Sequence, residues 1–153
     1  MNWLVLIAAF AAAAYFALAP APDATDSGEA AARPGVSQGV RERDDAVIES
    51  AFENRLGNLQ VTGQGTVLKL LADDIDGSRH QRFIVRLDSG RTLLVSHNID
   101  LAPRIDALRV GDTVAFYGEY EWNPKGGVIH WTHHDPQGAH PAGWIEHDGQ
   151  RYQ

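Results

Sequence analysis

The stretch that decides the fold is His80–His97, HQRFIVRLDSGRTLLVSH. Phe83, Val85 and Leu87 alternate with Arg82 and Arg86, the period of two that puts apolar groups on one face of a strand and charged groups on the other. Asp88-Ser89-Gly90 is turn chemistry, and Thr92 to His97 is the returning strand. Loop length sets the register. A two-residue loop at Ser89-Gly90 pairs Asp88 with Arg91 and puts His80 and His97 on the same side of the sheet. A three-residue loop with Gly90 in the bulge position pairs Leu87 with Arg91 and matches Phe83 and Val85 with Val95 and Leu93. The second register has the better apolar pattern, and it sets the two histidines on opposite faces.

Three further strands follow on either side of this hairpin. Leu59 to Leu71 alternates in part and contains Gly63 and Gly65, which point to a bend or bulge of the kind a barrel strand needs. It ends at the acidic turn Asp73-Asp74-Ile75-Asp76-Gly77. Asn98 to Val110 is an irregular or helical connection holding Pro103, after which Gly111-Asp112 opens a strand over Thr113 to Trp122. Asn123 to Gly127 is a turn, and Val128 to His134 is the fifth strand. Five strands with a connection between the third and fourth is the order of an OB-fold barrel. The expected class is therefore mainly β: a small five-stranded OB-fold-like barrel over residues 58–153, about 95 residues and large enough to fold alone.

What precedes the barrel has a different character. Trp3 to Ala19 is an unbroken apolar run without charge, so residues 1–19 are expected to be a cleaved signal peptide or an N-terminal membrane anchor. Residues 20–40 have the Pro, Ala, Asp, Ser and Gly content of a linker. Residues 41–57 are expected to form a short amphipathic helix, with Val47, Ala51 and Leu56 beside Ile48 and Phe52, a cap at Asp44 or Asp45, and a stop at Gly57. Export follows from the apolar leader, to the periplasm or to the inner membrane facing it.

Composition excludes more than it assigns. The chain has no Cys, which removes thiolate catalysis, Cys-ligated zinc, iron–sulfur clusters and disulfides. Residues 58–153 carry nine Lys and Arg against twelve acids, which disfavours a general nucleic-acid binder.

Several strings are distinctive: His80-Gln81-Arg82-Phe83, His97 to Arg104, Gly118 to Asn123, Gly126 to Pro136 and Gly143-Trp144-Ile145. Over about residues 58–153 the chain resembles a bacterial family known only as domain of unknown function 3465. The resemblance implies an exported or envelope-associated protein and carries no catalytic residue with it.

All seven His fall after residue 79. In a chain without Cys, imidazoles are what a zinc, copper or nickel site uses. His80, His97, His133, His134 and Asp135 are the expected metal ligands, because His80 and His97 lie at one end of the sheet and His133-His134-Asp135 lies at a strand exit where backbone can turn. His130 and His134 share a strand face but stand about 13 Å apart on a straight strand, too far to chelate one ion unless the strand bends or ends between them. His140 and His147 lie in a Gly/Pro-containing tail.

Glu119 and Glu121 share a strand face, and Glu119 or Asp135 is a candidate general base. Trp122 and Trp131 are candidates to stack a ring, and Arg82 and Arg104 to hold a phosphate or carboxylate. The acidic turn fails the EF-hand pattern, which needs an acid at Ala72 and a Glu at Phe83. The leading expectation is a binding module with a His/Trp-rich site for a small ligand or a divalent transition metal such as zinc. A metal-dependent hydrolase, acting for example on phosphodiesters, is the alternative, and single-stranded nucleic-acid binding the third.

Overall fold

The computed structural model describes residues 34–153. Helix α1 (Pro34–Glu53) is followed by strands β1 (Leu59–Leu70), β2 (His80–Leu87), β3 (Thr92–Asn98), β4 (Thr113–Glu121), β5 (Val128–His130), β6 (Trp144–His147) and β7 (Gln150–Tyr152). The first five strands run β1-β2-β3-β5-β4 around the sheet, and β4 pairs back onto β1, which closes a barrel. The β3–β5 pairing is parallel and the rest are antiparallel. This is the OB order that the strand count anticipates.

The central hairpin takes the register of the better apolar pattern. Phe83 faces Val95, Val85 faces Leu93, and the Leu87 N–H donates to the Arg91 carbonyl at 2.9 Å. Gly90 closes the loop with φ of 92°, a conformation that costs glycine little. The inward residues of all five strands form one core, in which Phe83, Val95, Phe116, Tyr120 and Ile129 are 0–1 % exposed. Burial of each large side chain is worth about 1.5–3 kcal/mol, so the apolar alternation is the main force that selects this register.

Strand β1 pairs with β4 along its first part and with β2 along its second. It must therefore curl, and glycines permit that: a side chain at Gly63 would run into the Phe116 ring, and one at Gly65 into the Arg86 carbonyl. A register shift between Val67 and Lys69 completes the bend.

The helix differs from its expected bounds. It opens at Pro34, a residue suited to the first helical turn, so residues 34–40 belong to it and not to a linker. It ends at Glu53 before Gly57, because Arg55 turns left-handed (φ 54°) and the Leu56 N–H closes onto the Ala51 carbonyl at 2.8 Å. Ile48 and Ala51 enter the core, whereas Val47 and Leu56 remain exposed. Asp45 accepts the Ser89 N–H at 2.9 Å, Glu49 chelates the Arg91 guanidinium, and Trp122 Nε1 donates to the Phe52 carbonyl at 3.1 Å. Asp44 and Asp45 therefore lie inside the helix and do not cap it. The apolar leader and the linker before residue 34 fall outside the described residues.

Two differences concern the C-terminal third. Strand β5 stops at His130, four residues short of its expected end, because Trp131 adopts φ of 52° and breaks the ladder. The tail is not loop throughout: β6 extends the sheet along Val114–Tyr117 of β4 and forms a hairpin with β7. Asp148 and Gly149, both left-handed, make the tight turn, and Ile145 and Tyr152 are buried.

Candidate functional site

Two polar side chains point into the barrel mouth. Gln81 and His97 are cross-strand partners on the inward face of β2 and β3. The Gln81 amide donates to the Ile105 carbonyl at 3.0 Å and accepts the Ile105 N–H at 2.8 Å. His97 Nε2 lies 3.1 Å from the Pro103 carbonyl and Nδ1 2.8 Å from Thr132 Oγ1. A carbonyl only accepts, so Nε2 carries the proton and Nδ1 accepts from the threonine hydroxyl. Burial depresses the His97 pKa to about 4; the Pro103 contact opposes the shift, and His133 adds to it. His97 is thus a neutral, doubly bonded core residue.

On the outside of the same strands lies a cleft of about 490 Å3, lined by Ser78, His80, Ser96, Asn98, Leu101, His130, Trp131 and His133. Outward positions of β2 and β3 supply His80, Ser96 and Asn98, and the exit of β5 supplies His130 and Trp131. His80 Nδ1 donates to the Ser78 carbonyl and His133 Nδ1 to the His134 carbonyl, each at 2.7 Å, which leaves both Nε2 atoms for other partners. The left-handed Trp131 stacks on His140 with ring centroids 3.7 Å apart. Among the described residues, no Asp, Glu, Lys or Arg lines the cleft.

Beside the cleft, a polar row crosses three strands on the outer face. Gln60 of β1 pairs with Glu119 of β4, which pairs with His130 of β5. Glu119 is only 8 % exposed, and its ion-pair neighbours are two imidazoles: His130 Nε2 at 3.2 Å and His140 Nδ1 at 3.7 Å. His130 Nε2 is buried with this carboxylate as its polar neighbour and makes no regular hydrogen bond, and Gln60 Nε2 is buried without a hydrogen-bond partner. Desolvation depresses the His130 pKa, with Glu119 pulling in the opposite direction. Glu121, two residues along β4, accepts the Asn58 N–H at 2.9 Å. Glu119, Glu121 and His130 each offer one donor atom within 4.8 Å of the others, the arrangement that His/Asp/Glu metal sites use.

The residues expected from sequence divide among these places. His80, His133 and Trp131 meet in the cleft. His97 does not join them, since its side chain points into the barrel and both ring nitrogens are bonded there. His134 is exposed. The Asp135 carboxylate accepts the N–H groups of Gln137, Ala139 and His140, which hold its pKa below the usual carboxylate range and commit it to ordering the loop. The expected five ligands therefore do not converge on one point. Arg82 pairs with Asp74 and Arg104 with Asp73 and Asp106, so both guanidinium groups are engaged at the surface. Trp122 packs against the core under α1. Glu119 is the candidate that the fold places among other donor groups. Gln60, Glu121, His130 and His140 complete its surroundings, and only the shared face of Glu119 and Glu121 is visible in the sequence.

The barrel order, the capping helix and this outer-face cleft define an OB-type domain with a polar, imidazole-rich flank. Residues 35–153 match the model of a family described as protein of unknown function (DUF3465), and the chain belongs to that family. Comparison with curated proteins returns no match.

Proposed function

We propose that this domain is a binding module whose cleft takes a small, uncharged polar ligand, carried in an exported protein as the apolar leader indicates. The observation that carries the reading is the lining of the cleft. It has the volume of a small-ligand site, hydroxyl, amide and imidazole groups for hydrogen bonding, and Trp131 and Leu101 as apolar surface, but among the described residues no carboxylate or cationic side chain beyond imidazole. A nucleotide strand needs Lys or Arg along its phosphates, and Arg82 and Arg104 are already paired, so the nucleic-acid reading draws no support here. The backbone strain at Trp131 fits a residue held for recognition, since bulky side chains at positive φ cost about 1–3 kcal/mol and cluster at binding sites.

Protein-observed NMR titration with neutral saccharides and nucleosides tests the proposal. A binder should shift the Asn98, Trp131 and His133 resonances and lose affinity in Trp131→Ala. Shifts confined to other surfaces, or binding unchanged in that variant, would reject it.

A further inference from the structure

We propose that Glu119, Glu121 and His130 form a binding site for a divalent transition metal ion, a site distinct from the five ligands that spacing alone selects. Three observations converge on it. The donor atoms of the three side chains lie within 4.8 Å of one another, close enough for one ion to touch all three. His130 Nε2 is buried with the Glu119 carboxylate 3.2 Å away and makes no regular hydrogen bond, so the ring nitrogen faces the carboxylate that would share an ion with it. Glu119 is 8 % exposed, and among the described residues its ion-pair neighbours are imidazoles.

The surroundings suit the role. The Asn58 N–H holds one oxygen of Glu121 at 2.9 Å and leaves the other for the ion. Gly57 lies against the Glu121 carboxylate, where any side chain would collide with it. Gln60, the neighbour of Glu119 on β1, presents a buried amide without an acceptor, the kind of donor that orients a metal-bound carboxylate or water. His140 Nδ1, 3.7 Å from Glu119, stands nearby as a fourth donor and second nitrogen. One imidazole with two carboxylates is a borderline N/O set that suits Zn2+, Mn2+ or Fe2+ and not the all-oxygen shells of Ca2+ or Mg2+. Three protein ligands would leave such an ion room for water or a further ligand.

Titration of the full-length chain with Zn2+ alone, followed by calorimetry and elemental analysis, tests the site. Retention of about one ion per chain is expected, with affinity about 10- to 100-fold weaker in Glu119→Gln, Glu121→Gln and His130→Gln, and unchanged in His134→Ala. Because a variant can lose its fold, the imidazole nitrogens of the unaltered protein supply a second reading: zinc should move the His130 Nε2 resonance and leave that of His97 in place. No retained zinc, or retained zinc with an unmoved His130 resonance, overturns the proposal. These readouts are independent of the organic ligand, so either reading can fail without the other.

Discussion

Gln81 and His97 face each other across β2 and β3 with their side chains inward, and together they bind the backbone of Pro103 and Ile105. The chain between β3 and β4 has no regular structure, so its buried polar groups need partners from elsewhere. These two side chains supply them and thereby seat Ile105, fully buried, against the core.

Removal of this support should be costly. His97→Ala leaves the Pro103 carbonyl and Thr132 hydroxyl without their partner and opens a cavity, so a loss of about 2–4 kcal/mol is expected. Urea denaturation measures it. A loss below about 0.5 kcal/mol would mean that Gln81 and packing hold the segment without His97.

Acid should act through the same residue. His97 has a folded pKa of about 4 against 6.5 for the free group, so the unfolded chain binds a proton that the folded protein refuses. The stabilisation is complete above pH 6.5 and is lost as pH falls from 6.5 towards 4, at up to about 1.4 kcal/mol per pH unit and about 3 kcal/mol in all. His97→Gln should flatten that part of the stability–pH curve. An unchanged slope in the variant would assign the acid sensitivity to other groups.

Trp131 offers a test of backbone strain. At φ of 52° an alanine pays for its Cβ and a glycine does not, so Trp131→Gly should be more stable than Trp131→Ala by about 1 kcal/mol. On an ordinary strand the order is the reverse. Thermal melts of the two variants decide it.

The helix should dock through one ion pair above all. Arg91 makes a bidentate contact with Glu49, lies 3.8 Å over the Phe52 ring, and is mostly buried. Arg91→Ala is expected to cost about 1–3 kcal/mol, more than an exposed pair, and to speed amide exchange in α1 before the barrel strands. Equal acceleration in α1 and the strands would show that helix and barrel open as one unit.

Much of the fold was legible because apolar alternation is local. Phe83, Val85 and Leu87 against Leu93 and Val95 selected the hairpin register, and each turn was marked by Gly, Asp or Asn. The β6–β7 hairpin carried the same kind of signal, Ile145 with Tyr152 around Asp148-Gly149, although the glycines and prolines before it gave the tail the look of a loop. The end of β5 carried none. Nothing in the type of residue at 131 announces positive φ, and the strand stops there because the loop from 131 to 143 folds back to stack His140 on Trp131.

The candidate sites lie beyond that limit. Residue type alone showed that a chain without Cys and with seven His must use imidazole, carboxylate and amide chemistry. Which imidazoles share a space depends on strand register and on which face each side chain takes. A one-residue change of face sends His97 into the barrel while His80, its neighbour's partner, stays outside. The Gln60–Glu119–His130 row joins the β4–β5 hairpin to β1, which lies far upstream in the chain, and forms only when β4 pairs with both β1 and β5. Sequence determined the barrel, because burial of alternate side chains is a short-range pattern. Tertiary closure decided the site, because it alone sets the distances between groups on different strands.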